Sequence, residues 1–353
     1  MENYNYKILE YKRINGSQPV LLDVFFPPLA ATDEVVALPV VVHFHGGGLV
    51  VGNRQSFMPI WLVDRVLALG YAFISADYRL LIPCTAHDIV EDLQDVFKFV
   101  ASTNFKGDAY TFKLDGDRIA VAGGSAGGLC TYLAAIHCNP KPKALISLYG
   151  SGGDFFTEHR LRVEPGDFTW MGQTIRHIDP AMVADITFPY PQGTPAVETD
   201  VPVVLGSLVP STDSRVTKRM ALSSFLFQEG RNLDYYTGFH SPSISDALRE
   251  VSKKGDATLE DFKKALPENT HRLFPLLCID SQWPPSMILH GTEDDVVRLE
   301  SSQNVRDAIK EAGVSVDLIE IGGQNHGFDI FPGAEEKYRV EFDRVKEFIR
   351  THL

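Results

Sequence analysis

The sequence has little cysteine, and its four cysteines form no recognisable pattern. Cys84, Cys130, Cys138 and Cys278 include no C-x-x-C pair, and their density is far below that of small disulfide-stapled domains. A disulfide framework is therefore not expected. Free, mostly buried thiols suit a reducing compartment, which predicts a cytoplasmic protein.

Long apolar runs are also missing. The longest, around residues 35–44, is far shorter than the ~20 residues that a membrane-spanning helix needs. The first residues, MENYNYKILEYKR, lack the basic segment and the apolar core of a secretory signal. We expect neither a membrane span nor a signal peptide.

Basic charge is in deficit. The chain has 33 Lys and Arg against 46 Asp and Glu, a formal net charge of −13, which argues against nucleic acid as a partner. Its 353 residues, 44% hydrophobic and 22% charged, are typical of a globular protein with one large domain or one domain and an insertion. The pattern leaves the oligomeric state open, and a homodimer is compatible with it.

Short apolar strands alternate with helical segments, which is typical of a mostly parallel sheet covered by helices on both faces. Residues 6–14 and 20–26 alternate apolar and polar positions and predict an antiparallel hairpin at a sheet edge. The later strands are continuously apolar, as strands covered on both faces should be. They are predicted at residues 38–45, 71–78, 118–124, 144–150, 285–291 and 314–321.

Three segments between and after these strands have helical periodicity. Residues 85–102 carry an apolar stripe behind Thr85, a suitable N-cap. Residues 299–313 end at Gly313, which is well placed to terminate a helix. Residues 334–353 carry a further apolar stripe and predict a C-terminal helix.

One interval breaks the alternation. Residues 151–283 contain no convincing core strand, but they hold Pro- and Gly-rich stretches and helix-like segments such as DSRVTKRMALSSFLFQEG. A structureless connection of this length is rare in a compact domain, so we expect an inserted, largely helical cap. The predicted organisation is a core of residues 1–150 and 284–353, interrupted by a cap or lid at residues 151–283.

The segment GGSAG, residues 123–127, matches G-x-S-x-G between a predicted strand and a helix-compatible run. On such a sharp turn the serine hydroxyl is lifted out of the sheet, and small neighbours permit the tight approach. This context favours Ser125 as a nucleophile over a plain glycine-rich turn.

A serine nucleophile needs a base and a carboxylate that orients the base, expected here in the chain order Ser, Asp, His. His326 lies in a glycine-flanked loop after the last predicted strand, and three acidic residues follow the strand before it. Because the carboxyl ends of such strands gather at one edge, these groups can converge. We choose Asp294, which lies at the turn just after the strand, and Asp295 and Glu293 remain alternatives.

The segments HFHGGG, DYRL, GGSAGG, HGTEDDVV and NHGFD together resemble the α/β-hydrolase superfamily, in particular carboxylesterases of the hormone-sensitive-lipase-like group. The resemblance covers the chain from about residue 15 to the end, apart from the cap. LFPLLCIDSQWPPSMILHG further resembles hydrolase-like proteins of filamentous fungi. The expected fold is therefore an α/β-hydrolase with a mostly parallel, eight-stranded sheet and an inserted cap.

The resemblance also implies roles for individual residues. Ser125 would be the nucleophile, His326 the base and Asp294 the orienting acid. An oxyanion hole would be formed by the backbone N–H groups of three residues, Gly46, Gly47 and Ala126. In one respect the chain departs from the group, because many members carry an acidic residue directly before the serine, where this chain has Gly124.

The glycines of HFHGGG allow other interpretations, which the sequence disfavours. A phosphate-binding G-x-G-x-x-G fails because its last position is Val51, and no G-K-[ST] follows. His43 and His45 point to one face of a strand, but no further ligand stands at metal spacing, so neither a metal nor a cofactor is expected. The two histidines are expected to brace the glycine loop. A bulky residue at Gly47 is then expected to lower kcat far more than stability.

The aromatic residues of the predicted cap are expected to form mainly its own core, with some lining an apolar pocket over Ser125. Arg160 and Arg162 could meet a substrate carboxylate, but solvated surface positions are the simpler interpretation.

The sequence therefore predicts a serine hydrolase that cleaves a carboxylic ester of a small, largely apolar molecule through an acyl-enzyme. Two alternatives remain. One is a non-hydrolytic lyase, cyclase or acyltransferase of natural-product metabolism on the same scaffold. The other is a non-catalytic small-molecule receptor.

Overall fold

The computed structural model describes residues 4–107, 109–192, 194–203 and 212–353. A central sheet runs through them in the order β1-β2-β4-β3-β6-β7-β10-β11. Its strands are β1 (Tyr6–Ile14), β2 (Gln18–Phe25), β3 (Val35–Phe44), β4 (Ala72–Ala76), β6 (Thr111–Gly124), β7 (Ala144–Leu148), β10 (Ser286–Gly291) and β11 (Val316–Ile321). The short strand β5 (Asn104–Lys106) pairs with the start of β6.

The pairing agrees with the predicted topology. β1 and β2 form an antiparallel hairpin at the edge, and β2 is antiparallel to β4. From β4 to β11 the neighbours are parallel. The predicted sheet of eight strands is therefore confirmed. The ninth strand, β5, was not predicted, because its three residues are too few to give a recognisable pattern.

Helices cover both faces of the sheet. Outside residues 151–283 they are α1 (Ile60–Ala68), α2 (Ala86–Ser102), α3 (Ala126–His137), α9 (Leu299–Glu311), α10 (Ala334–Lys337) and α11 (Arg339–His352). Alternate residues of β3 face opposite sides: Val41 packs in one core with α1 and α11, and Val40 in the other with α2 and α3. Thr85 caps α2 as predicted, in a capping box with Asp88. α1 was not predicted.

Between β7 and β10, the described residues contribute no strand to the central sheet. They form α4 (Glu158–Leu161), α5 (Ser214–Gln228), α6 (Asn232–Thr237), α7 (Ile244–Ser252) and α8 (Leu259–Lys264). A separate hairpin, β8 (Phe168–Trp170) and β9 (Gln173–Ile175), was not predicted. Two-residue turns of this kind need positive φ, and Met171 and Gly172 have φ of 52° and 72°.

Two expectations from composition can be compared with the described residues. None of the helices found there has the length and apolar character to cross a bilayer. The four cysteines are free thiols, of which Cys84, Cys130 and Cys138 are buried and Cys278 is half-buried.

Candidate active site

Ser125 lies on a strained turn between β6 and α3. Its φ of 54° is unfavourable for a residue with a side chain. The flanking glycines are required by close backbone approach: a Cβ on Gly123 would lie 2.2 Å from the Gly127 carbonyl oxygen, and one on Gly127 would lie 2.0 Å from that of Phe44. This packing holds the turn, and the Ser125 side chain therefore projects into a cavity above the sheet.

The glycine loop lies beside Ser125 because β3 and β6 are parallel neighbours, with Phe44 paired to Gly123. A Cβ on Gly46 would lie 3.4 Å from the Cβ of Ser125. The N–H groups of Gly46, Gly47 and Ala126 donate to no acceptor in the described part of the chain. They are therefore free to bind an oxygen atom next to Ser125.

Gly47 is also essential to the turn itself. Its φ is 107°, its carbonyl oxygen accepts the N–H groups of Val50 and Val51, and a Cβ there would lie 2.1 Å from the Val51 carbonyl oxygen. The expectation that a bulky residue at Gly47 would spare stability is therefore wrong, because this substitution would break the loop.

The two histidines before the glycines are buried braces. Nδ1 of His45 lies 2.7 Å from the Gly46 carbonyl oxygen, and its ring stacks on Tyr78 at 4.3 Å. Nδ1 of His43 lies 3.2 Å from the Ser75 hydroxyl. Burial lowers the pKa of His43 to about 3 and that of His45 to about 4, so both are neutral near pH 7.

Asp294 and His326 meet at the ends of the adjacent strands β10 and β11. Asp294 Oδ2 accepts a hydrogen bond of 2.7 Å from His326 Nδ1, and Oδ1 accepts the N–H groups of Val296 and Val297 at 2.9 and 2.8 Å. Burial alone would raise the pKa of Asp294, but the nearby charges and hydrogen bonds of His326 and His290 outweigh it and hold that pKa well below its usual value. The carboxylate is therefore ionised and fixes the orientation of the His326 ring.

The two alternative acids have different positions. Asp295 accepts the backbone N–H groups of Met171 and Gly172, both at 2.8 Å, and so ties the β8–β9 turn to the loop of Asp294. Glu293 is exposed, and its N–H donates to the Gln324 carbonyl oxygen. Only Asp294 of the three is bonded to His326.

Two cavities meet at Ser125. Gly48, Trp170 and Ser223 also line both of them. The histidine cavity, with about 710 Å³ of empty space, is lined by Gly46, Gly47, Ser125, Tyr149, His326 and largely apolar neighbours. The arginine cavity, with about 620 Å³, is lined by Ser125, Ala126, Arg160, Phe227, Tyr236 and others. Ser125 and His326 line the same cavity without a hydrogen bond between them, and such bonds often tighten only when substrate is bound.

Three residues around the site were not found by sequence reasoning. His290 lies with Nε2 3.3 Å from Asp294 Oδ2, and the histidine directly before G-T-E-D was the available signal. Tyr149 packs edge-on against His326 at 4.7 Å, and its hydroxyl donates to Asp329 at 2.6 Å. No local sequence pattern predicts the contact between Tyr149 and Asp329, because the two residues are 180 positions apart in the chain.

The departure at Gly124 has a steric reason. A Cβ at this position would lie 3.1 Å from the Tyr149 hydroxyl oxygen and 3.3 Å from the ring. Tyr149 would therefore have to shift by a few tenths of an ångström to admit a side chain before the serine.

Of the two arginines considered for substrate binding, Arg162 pairs with Glu164 at 2.5 Å. Arg160 does not have the solvated surface position that the sequence favoured. It is half-buried and lines the arginine cavity together with Ser125.

Known proteins similar to this chain include esterases. A family model described as BD-FAE matches residues 22–158. The chain is 31% identical over 146 residues to a probable carboxylesterase M8 of Phoma sp., a match that covers 40% of this chain and 45% of that protein. It is 23% identical over 364 residues to the non-reducing polyketide synthase ausA of Aspergillus calidoustus, a match that covers 95% of this chain and 14% of the synthase. The matches thus span less than half the length of either relative.

Solved structures give the same fold over nearly the whole chain. The esterase Est2 of Thermogutta terrifontis superposes with a TM-score of 0.55 at 18% identity, covering 98% of this chain and 91% of that one. An alpha/beta hydrolase superfamily protein from Enterococcus faecalis gives 0.59 at 16% identity, with coverage of 99% and 100%. These comparisons confirm the predicted fold and the resemblance: the chain is an α/β-hydrolase-fold protein that is similar to carboxylesterases.

Proposed function

We propose that the chain is a carboxylic ester hydrolase that acts through an acyl-enzyme on Ser125. The observation that carries the proposal is the 2.7 Å hydrogen bond between Asp294 and His326, with the His326 side chain in the same cavity as Ser125. Nucleophile, base and orienting carboxylate are then available in the arrangement that acyl transfer requires. The similarity to carboxylesterases supports the same reaction.

The proposed reaction begins when Ser125 Oγ attacks the ester carbonyl. The ionised Asp294 accepts a hydrogen bond from Nδ1–H of His326, so Nε2 carries the lone pair that takes the serine proton. Nε2–H then protonates the leaving alcohol as the tetrahedral intermediate collapses to the acyl-enzyme. A water molecule, activated by the same nitrogen, releases the acid and restores Ser125.

The negative charge of the intermediate would be bound by the N–H groups of Gly46, Gly47 and Ala126. Their position on a braced loop and at the first turn of α3 fixes them before the reaction starts. Preorganised donors of this kind contribute about 3 kcal/mol each to transition-state binding. The segment 151–283 would act as the cap, since Trp170 and Phe227 line the cavities at Ser125.

Ser125→Ala tests the proposal directly. The wild-type protein should hydrolyse p-nitrophenyl acyl esters with a burst of acylation and should be labelled once by a fluorophosphonate, and the variant should do neither. Ser151→Ala, which changes a second serine of the arginine cavity, is the matched control and should retain both. Full labelling of Ser125→Ala would contradict the proposal.

A second candidate is acyl release or transfer in natural-product metabolism. It is favoured by the match to polyketide synthases, which extends over 95% of this chain. A thioester of N-acetylcysteamine, offered beside the corresponding oxygen ester, separates the two candidates. Preference for the thioester, or a transferred or cyclised product in place of the free acid by mass spectrometry, would favour the second. Turnover of a metabolite by Ser125→Ala would indicate a lyase.

A cytoplasmic location is supported by the four free thiols, which suit a reducing compartment. A receptor without catalytic activity would bind esters without cleaving them, and Ser125-dependent hydrolysis would exclude it.

A further inference from the structure

Arg160 is a cation enclosed in the cavity at the proposed nucleophile. It lies on α4, and its side chain lines the arginine cavity together with Ser125. Its Nε is buried, and its guanidinium neither donates a hydrogen bond to nor forms an ion pair with any described residue. The contact it does make is with the face of Phe155, whose ring centre is 5.4 Å from Cζ.

Other enclosed arginines of the protein have acceptors. Arg219 donates to the carbonyl oxygens of Val50, Leu81 and Ile82. Arg249 donates to two carbonyl oxygens and pairs with Asp246. A guanidinium nitrogen taken out of water without an acceptor is costly, so the buried Nε of the half-buried Arg160 indicates a place where an acceptor is supplied by a ligand.

The surroundings of Arg160 favour an anionic ligand. None of the described residues that line the arginine cavity is acidic, so the cation there is not neutralised locally. Burial lowers the pKa of Arg160 to about 10, which still leaves the guanidinium charged near pH 7. The cavity wall also includes apolar side chains, Leu129, Phe227 and Val296 among them, which suit a hydrocarbon chain.

We propose that Arg160 binds a free carboxylate of the substrate, so that the enzyme acts on esters that carry a second, unesterified acid group. This rests on the proposed function. The planar guanidinium can hold a carboxylate through two parallel hydrogen bonds, which neither the apolar walls nor the neighbouring hydroxyl groups can do. The apolar part of the substrate, between the carboxylate at Arg160 and the ester at Ser125, would lie along the apolar part of the cavity wall.

Two series of probes test the inference and show which end of the ester carries the acid. Monomethyl esters of the linear diacids from glutaric to suberic acid place the carboxylate on the acyl side, and each is compared with the neutral methyl ester of equal length. Acetate esters of ω-hydroxy acids place it on the alcohol side, and each is compared with the neutral alkyl acetate. We expect one acidic series to be preferred over its neutral partners.

Arg160→Met should abolish that preference. We expect kcat/KM for the preferred acidic ester to fall by about 10- to 100-fold, with the neutral ester changed by less than about twofold. Arg160→Lys should retain part of the preference. Arg162→Met, which removes a neighbouring cation already paired with Glu164, is the control and should retain all of it. An equal loss on acidic and neutral esters would show a structural role and overturn the inference.

A measurement on the wild-type protein tests the inference even if the Arg160 variants do not fold. Adipate should inhibit hydrolysis of a neutral ester competitively and at lower concentration than hexanamide, and a reversed order would also overturn the inference. If neutral esters are cleaved in a Ser125-dependent way but acids are not preferred, only this inference fails. If Ser125 is not acylated, the proposed function fails, and Arg160-dependent binding of adipate to the protein by calorimetry still tests the carboxylate site.

Discussion

The hydroxyl of Tyr149 donates a 2.6 Å hydrogen bond to Asp329, and the Tyr149 ring packs edge-on against His326. Asp329 is buried and accepts a second hydrogen bond, of 2.8 Å, from the indole of Trp61. Burial raises the pKa of Asp329, and these two donors oppose that rise. The pair thus fixes an aromatic wall against the side of the proposed base.

Tyr149→Phe removes the hydrogen bond to Asp329 and keeps the ring. We expect the free energy of unfolding to fall by about 1–2 kcal/mol, because the buried carboxyl loses a donor. We also expect kcat to fall about 10-fold, since the ring beside His326 is no longer held. Urea unfolding and ester hydrolysis measure the two effects.

Trp61→Phe is the control for this prediction, because it removes the other hydrogen-bond donor to Asp329. The indole of Trp61 is stacked on Phe342 at 3.9 Å. It should lower stability while leaving kcat nearly unchanged. A similar fall of kcat in both variants would show that Tyr149 has no positioning role of its own.

Asp294→Asn and Asp295→Asn should separate orientation of the base from anchoring of the β8–β9 turn. Asp294→Asn leaves His326 without its anionic partner, and we expect kcat to fall by about 10³- to 10⁴-fold. Asp295→Asn weakens the bonds to Met171 and Gly172, so KM should rise several-fold with kcat changed by less than about threefold. Steady-state kinetics on p-nitrophenyl acetate measures both. Equal losses of kcat would contradict the assignment of Asp294 alone.

Gly46→Ala and Gly47→Ala should affect different properties. At Gly46 a methyl group would meet the Gly124 carbonyl oxygen at 3.2 Å and Ser125 Cβ at 3.4 Å, so we expect kcat to fall by about 10-fold or more with a loss of stability near 1 kcal/mol. At Gly47 the clash with Val51 and the positive φ should cost about 3 kcal/mol or more. Gly116→Ala, whose added methyl would meet nothing closer than 3.6 Å, is the control for both assays.

Acid should weaken the fold through the buried His43. An unfolded histidine has a pKa of about 6.5, whereas the folded pKa of His43 is about 3. Between these values the unfolded chain binds a proton that the folded protein does not, so this contribution to stability falls as pH falls. From pH 7.5 to 5 the loss is about 2 kcal/mol.

Other groups titrate in the same range, so this contribution is isolated by difference. Burial raises the pKa of Asp77 to about 7, which acts in the opposite sense. Urea unfolding at both pH values should therefore show that His43→Gln loses about 2 kcal/mol less than the wild type on acidification. His87→Gln, at an exposed position of α2, should behave as the wild type. An unchanged pH dependence in His43→Gln would refute the prediction.

Much of the fold followed from local patterns. The apolar runs of β3, β7 and β10, and residues 119–123 of β6, are buried on both faces of the sheet, and a chain segment with that pattern has few other stable places. The edge strand β11 was also expected to be covered on both faces, but Glu320 is exposed and most of its other residues are half-buried. The helix stop at Gly313, with φ of 77°, and the cap at Thr85 are likewise decided by a few neighbouring residues. α1 and the β8–β9 hairpin were not predicted, because each is short and depends on tertiary packing.

The sequence by itself determined the sheet, the serine turn and the order of Ser125, Asp294 and His326, because the residues that encode them are contiguous or lie at strand ends. Only the tertiary structure decided that Asp295 anchors a distant hairpin, that Tyr149 meets Asp329, and that Arg160 is enclosed beside Ser125. These relationships join residues far apart in the chain. They depend on which loops the sheet brings together, and no local periodicity encodes that.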